Sequence, residues 1–339
     1  MKKRLRPSAW AKSFERSFVA MTRLATASGT RALKKTLKPT VTRRRSPPGA
    51  GAWIPGVVMG AQGARRFRLY RPTGIAFGER LPLMVMLHGC GQDASSFAAS
   101  TRMNRIAMRE RFLVLYPEQD RLANAQGCWN WFDTNTGRAF GEAALILQAV
   151  DQVCLLHPVD KARVAVAGLS AGASMAALLV TRYPDRFQAV VMHSGIPPGT
   201  AHSTLSALGA MHGHRATKPL AASPDTMEAH WPPLLVIHGD ADPVVSIRNG
   251  EAAAQVWAEA AGAKAGPTRG VRRGLRYPMS VTDFKRKGSV VATLTTVHGL
   301  AHAWSGGAAG QAYSDGHGPD ASRMAWAFAA RQFRSQVQA

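Results

Sequence analysis

Ser170 stands between two glycines in the run Gly168-Leu169-Ser170-Ala171-Gly172, directly after the alternating small and β-branched residues Arg163–Ala167. A hydroxyl at the tip of so tight a turn can serve as an exposed nucleophile on a strained strand-to-helix elbow. The same residues also make an ordinary loop, because Gly and Ser are common turn formers. With 32 glycines in 339 residues, the match alone decides nothing. Two further groups bear on it. "HGDADPVV" supplies Asp240 and Asp242, and "HGLAHAW" supplies His298 and His302. A serine hydroxyl becomes a useful nucleophile only when an imidazole takes its proton, and a carboxylate must orient that imidazole and stabilise its cation.

Asp242 precedes Pro243-Val244-Val245, which turns the chain toward the next helix, so it is the acid placed to face a site; Asp240 is read as a turn cap. His302 lies further beyond its strand than His298 and is taken as the base, with His298 as a structural loop residue. The spacing of four between these histidines raises a metal pair, but Gly299 and the preceding strand argue against the helix such a pair needs, so no metal and no cofactor is expected. His88, His193 and His238 each end an apolar run and are read as hydrogen-bonded core histidines. An ester hydrolase also needs two donors for its oxyanion. The backbone N–H of Ala171 supplies one, and that of Cys90, in "HGCGQD", is the candidate for the other.

These residues must be carried by a scaffold, and the pattern supplies one. Apolar runs at 65–72, 81–89, 111–118, 163–168, 187–195, 233–242 and 288–299 read as strands. Between and after them, residues 95–111, 142–157, 171–182, 251–263 and 321–333 read as helices. Strands alternating with helices predict an α/β fold with a mostly parallel central sheet covered on both faces. The polar groups above gather at the carboxyl ends of these strands, where such sheets bind ligands. Their chain order Ser…Asp…His is that of the α/β-hydrolase fold.

The chain carries 43 Lys/Arg and 20 Asp/Glu, a net charge of +23, very unevenly placed. Residues 1–50 hold 14 of the basic residues and one acid, Glu15. This sets a basic N-terminal extension (residues 1–51) apart from a catalytic domain (residues 52–339), with "SPPGAGAW" as the linker. Trp10, Phe14, Phe18, Val19 and Met21 share one helical face, so the arm is read either as a solvated tail or as a segment that lies on a polymer granule or an anionic surface. Lys12, Glu15, Arg16 and Arg23 interrupt any apolar core of a signal peptide, and no transmembrane segment is expected. The location expected from this is cytoplasmic, with extracellular as the alternative. Of three cysteines, Cys154 belongs to a helical core pattern; Cys90 and Cys128 lie in loops and can pair in an oxidising compartment.

"LMVMLHGCGQ", "CWNWF", "RVAVAGLSAGASM", "HGDADPVV" and "GLAHAWSGG", in this order across residues 52–335, resemble the polyhydroxybutyrate depolymerase-type esterases of the α/β-hydrolase superfamily. The resemblance implies Ser170 as nucleophile, Asp242 as acid, His302 as base, and the N–H groups of Cys90 and Ala171 as the oxyanion hole. It implies that Trp129, Trp131 and Trp304 contact substrate, and it brings the Cys90 and Cys128 loops to one region. Ala173 stands where relatives often have another glycine, and neither a signal peptide nor a polymer-binding module after residue 335 is expected. The expected function is hydrolysis of short-chain hydroxyalkanoate esters or oligomers. The alternatives are a feruloyl or acetyl esterase on plant polysaccharide, and a granule- or polyanion-binding protein with a degenerate hydrolase body.

Overall fold

The computed structural model describes residues 50–214 and 231–335. The basic arm up to residue 49, with the helical face of Trp10, Phe14, Phe18, Val19 and Met21, lies outside the described residues. The described residues belong to the unit Ser46–Ala339.

The fold is that of an α/β hydrolase. Strands β1 (Gly51–Gly60), β2 (Gly63–Pro72), β3 (Leu81–Leu87), β4 (Leu113–Pro117), β5 (Val159–Leu169), β6 (Ala189–His193), β7 (Leu234–Gly239), β8 (Lys264–Ala265), β9 (Arg269–Val271), β10 (Met279–Arg286) and β11 (Ser289–Val297) form one sheet. Its order is β1-β2-β4-β3-β5-β6-β7-β11-β10-β8, with β9 also on β10. The run from β4 through β11 is parallel, while β1, β2, β8, β9 and β10 pair antiparallel at the two sides.

Period-two alternation explains how the sheet is covered. Leu83, Val85 and Val166 point into one core, and Met84, Met86, Ala165 and Ala167 point into the other. Helices α3 (Arg138–Leu156), α4 (Ala171–Arg182) and α6 (Ile247–Ala261) fill the first through Ile146, Met175 and Trp257. Helices α1 (Ala94–Thr101), α2 (Met103–Glu110) and α7 (Ala321–Ser335) fill the second through Phe97, Met103 and Phe328. Helix α5 (Thr204–Met211) and the short pair β12 (Trp304–Ser305) and β13 (Ser314–Asp315) sit in the connections.

The seven expected strands are present as β2 to β7 and β11. The structure departs from expectation elsewhere. β1 begins within the stretch read as linker. Its Pro55 and three internal or terminal glycines disguise it, and an edge position tolerates them. Residues 95–111 form two helices, because Arg102 takes a left-handed conformation (φ 55°) and ends α1. β10 was also missed, since its sequence MSVTDFKR is polar and lies at the antiparallel side. Against the expectation of no spanning stretch, α3 is long and apolar enough to cross a membrane by length and composition. It is a core helix nonetheless: ten of its residues, among them Ile146, Val150 and Val153, are buried against the sheet.

Candidate active site

Ser170 is the hinge between β5 and α4. Its φ of 56° and ψ of −122° place a non-glycine residue where L side chains are strained, at a cost of about 1–3 kcal/mol. The backbone around it is locked. Ser170 N–H donates to His193 O at 2.8 Å, and Ser170 O accepts from Ser174 N–H at 3.1 Å. The flanking glycines are required by close approach. A Cβ on Gly168 would lie 2.3 Å from Gly172 C, and one on Gly172 would lie 2.2 Å from Leu87 O. So the elbow glycines let α4 pack directly on the ends of β3 and β5, leaving the Ser170 side chain partly exposed at the sheet rim.

The acid and histidine come from strands further along the rim, beyond β6. Asp242 follows β7 and His302 follows β11, and His302 Nδ1 lies 2.8 Å from Asp242 Oδ2. The Asp242 side chain is fully buried. Its Oδ1 accepts the N–H groups of Val244 and Val245, both at 2.9 Å. Burial alone would push this carboxyl up; the His302 charge and hydrogen bond, with His238 and the Val245 N–H, outweigh it and hold it down to about 2. Behind the pair stands His238, fully buried, with Nε2 donating to Val245 O at 2.9 Å and 3.7 Å from Asp242 Oδ2.

Asp240 and His298 form a separate pair. Asp240 Oδ2 is 2.7 Å from His298 Nδ1, and Oδ1 accepts the Gly299 N–H at 2.7 Å. Each sequence-derived acid therefore has its own histidine, and these contacts tie the β7 and β11 loops together.

The loop carrying Cys90 is held from several sides. Gly89 N–H donates to Gln92 Oε1 at 3.0 Å, Gly91 N–H to Gln126 O at 2.9 Å, and Gln92 N–H to Gly89 O at 3.2 Å. Cys90 is outside that set, and its side chain forms a disulfide with Cys128. Cys154 is free and buried, as its helical pattern suggested. Ala171 opens α4, where the first N–H groups have no partner within the helix.

The aromatic residues expected to contact substrate are placed differently. Trp129 is fully buried, with its indole N–H donating to His88 O at 3.0 Å. Trp304 is also fully buried, donating to Ser322 Oγ at 3.1 Å and stacking on His193 with ring centroids 5.0 Å apart. Trp131 is buried too. Trp129 and Trp304 thus brace the site from behind. Their neighbours His88 and His193 are neutral core groups: burial lowers His88 to about 4, and burial with nearby His238 and His302 lowers His193 to about 3.

A buried polar network stands behind Trp129 and was not foreseen. Glu142 of α3 accepts from Gln119 Nε2 at 2.7 Å, from Asn130 Nδ2 at 2.6 Å and from Asn130 N–H at 2.9 Å, and faces Arg65 at 4.0 Å. Gln119 N–H in turn donates to His88 Nε2 at 3.0 Å. The network connects the Trp129 segment to the Cys90 loop. Among the described residues, no group of three or more His, Cys, Asp or Glu is arranged to hold a metal ion.

A family model described as esterase PHB depolymerase matches residues 65–273. Poly(3-hydroxyalkanoate) depolymerase C of Paucimonas lemoignei is 40% identical over 131 residues, which are 38% of this chain and 31% of that protein. Feruloyl esterase B of Thermothelomyces thermophilus is 33% identical over 128 residues, 37% of this chain and 43% of that protein. The matched part of this chain spans less than half the length of either relative. An acetyl xylan esterase structure from Aspergillus awamori superposes with a TM-score of 0.60 at 18% identity, covering 74% of this chain and 94% of that one. At that identity the likeness speaks for the fold alone.

Proposed function

The chain belongs to the esterase PHB depolymerase family, and from that premise we propose that it is a serine carboxylic ester hydrolase with Ser170 as nucleophile, His302 as base and Asp242 as acid. The observation that carries this reading is the buried Asp242 carboxylate 2.8 Å from His302 Nδ1, on the same rim as a strained Ser170. With Asp242 accepting, the His302 proton sits on Nδ1 and Nε2 is left as acceptor. His302 then removes the Ser170 proton as Oγ attacks the ester carbonyl. The N–H groups of Ala171 and Cys90 receive the oxyanion, an interaction worth roughly 3–4 kcal/mol per donor. The imidazolium protonates the leaving alcohol, and water releases the acyl group by the reverse sequence.

The substrate class we propose is short-chain hydroxyalkanoate esters or oligomers, because the depolymerase match is the stronger of the two sequence likenesses over similar lengths. Hydrolysis of feruloyl or acetyl esters is the second reading, and the feruloyl esterase match favours it. The Cys90–Cys128 disulfide supports an oxidising, extracellular-type compartment over the cytoplasmic expectation. A panel of hydroxybutyrate oligomers, feruloyl esters and acetyl esters, assayed with the intact protein and with Ser170→Ala, tests the proposal. Turnover of hydroxybutyrate oligomers that Ser170→Ala abolishes supports it. Full turnover in Ser170→Ala refutes the nucleophile, and preference for feruloyl or acetyl esters refutes the substrate class.

A further inference from the structure

A second hydrogen-bonded serine–histidine–aspartate chain lies on the sheet rim. Asp240 Oδ2 is 2.7 Å from His298 Nδ1, and His298 Nε2 is 2.8 Å from Ser280 Oγ. Its members come from three adjacent strands. Asp240 follows β7, His298 follows β11, and Ser280 is the second residue of β10, in register with Thr296 of β11. β10 runs antiparallel to β11, so its first residues lie beside the carboxyl ends of β7 and β11.

The imidazole is fixed from both sides. His298 N–H donates to Pro278 O at 2.9 Å, and Asp240 Oδ1 holds the next N–H, that of Gly299, at 2.7 Å. In the neutral tautomer that places the ring proton on Nδ1, toward the carboxylate, Nε2 is an acceptor for the Ser280 hydroxyl. This is the tautomer and the order of partners that a general-base serine requires. The group also meets solvent: the His298 and Asp240 side chains are 42% and 39% exposed, and Ser280 is half-buried.

We propose that Ser280 is a second acylation site, which takes the acyl group of activated aryl esters. Its Oγ bonds to the acyl carbon while its proton passes to His298 Nε2. The carbon–oxygen bond to the aryl oxide breaks, the aryl oxide leaves with the electron pair, and the imidazolium proton neutralises it. The products are an acyl-Ser280 ester and a phenol. The surroundings set the limits of the reaction. The N–H groups of His298 and Gly299 are already engaged, and a reaction run without an oxyanion donor is slower by about 10²–10³. Ser280 therefore accepts activated esters in a single turnover and holds the acyl group.

The proposal does not depend on Ser170 being the nucleophile, and the experiment keeps the two apart. The full chain carrying Ser170→Ala is incubated with excess p-nitrophenyl acetate. Mass and peptide mapping then locate any acetyl group. The expected result is one acetyl per chain, in the peptide that contains Ser280. It is absent in Ser170→Ala with Ser280→Ala, and forms about a hundredfold more slowly with His298→Gln or Asp240→Asn, the contribution of an aligned general base. Thermal unfolding of each variant confirms that it is folded. Acetyl only on other residues overturns the proposal. So does acetylation of Ser280 at a rate that His298→Gln and Asp240→Asn both leave unchanged, because the hydroxyl would then react without the relay.

Discussion

Asp242 and His302 are joined by a 2.8 Å hydrogen bond between Oδ2 and Nδ1, and the other carboxylate oxygen is occupied by two backbone N–H groups. The carboxylate is therefore fixed in rotation as well as position, and the imidazole inherits that alignment. Asp240, two residues earlier, serves a different histidine.

Asp242→Asn is expected to lower kcat by about 10⁴, since an amide presents its N–H₂ or a weaker acceptor to Nδ1 and favours the wrong tautomer. Asp240→Asn is expected to change kcat less than about tenfold, because the Asp240 carboxylate is bonded to His298 and the Gly299 N–H rather than to His302. Steady-state kinetics of the two variants on one soluble ester decide between the acids. Equal losses, or a larger loss for Asp240→Asn, would refute the assignment.

Acid sensitivity follows from the buried histidines. His88 and His193 are neutral in the fold, with values near 4 and 3, against 6.5 in the unfolded chain. Between those limits the unfolded state binds more protons, so stability falls as pH drops below about 6.5. Each histidine contributes about 1.4 kcal/mol per pH unit until its folded value is reached. Asp242 acts in the same direction at lower pH: its carboxyl is lowered to about 2, so its contribution is present above the ordinary carboxylate range and is lost progressively as pH falls from that range through about 2. Urea unfolding at pH 7, 6 and 5 should show stability decreasing steeply from pH 6 to 5, with uptake of about two protons. A flat profile over that interval would contradict the neutral burial of both histidines.

Much of this architecture was legible in the residues. Buried parallel strands such as Leu81–Leu87 are continuous apolar runs with polar punctuation where they stop, and that punctuation marked Ser170, Asp242 and His302. The edges were not legible. β1 contains Pro55 and glycines, and β10 is polar, because a sheet side needs only one covered face. Tryptophan orientation was also hidden: "CWNWF" gives no sign that the Trp129 indole would turn inward to His88 O. Glu142 offered a weak signal, a lone carboxylate in the apolar pattern "EAALILQAV", which burial can accommodate only with partners. Its partners Gln119, Asn130 and Arg65 are distant in sequence, so the pairing requires the fold.

The Cys90–Cys128 bridge closes a loop of sequence separation 38, and the loop-closure argument gives it about 4 kcal/mol of stabilisation. The double variant Cys90→Ser with Cys128→Ser should therefore lose about 2–4 kcal/mol in urea unfolding. It should also lose kcat/KM by an amount below the 10²–10³ of a deleted oxyanion donor, since the Cys90 N–H remains but its loop is less constrained. Unchanged stability and activity would mean that the hydrogen bonds of Gly89, Gly91 and Gln92 hold the loop unaided.

The arm of residues 1–50 carries 14 basic residues and one acid. Its removal should leave turnover of a soluble ester nearly unchanged, because every residue proposed for catalysis lies from Cys90 to His302. Binding to anionic vesicles should weaken, most clearly at low salt, where screening is least. Loss of soluble-ester turnover in a folded truncated chain would place the arm within the catalytic unit.

Ser170 should be a site where activity and stability oppose each other. Its φ of 56° and ψ of −122° suit glycine far better than any residue with a Cβ. Ser170→Ala removes the hydroxyl and keeps the Cβ, so the strain persists; Ser170→Gly removes both. Glycine also gives the unfolded chain more freedom, which offsets about 0.4–1 kcal/mol of the relief. The expected net result is that Ser170→Gly is more stable than Ser170→Ala by about 1 kcal/mol. For a chain of 339 residues that is a rise of about 1–2 °C in Tm. Both variants should lack esterase activity. Calorimetry of the pair against the unaltered protein reads the difference directly. A glycine variant less stable than the alanine variant would show that the elbow holds no strain for glycine to release, and that the conformation of Ser170 is supported by its neighbours at no cost to the fold.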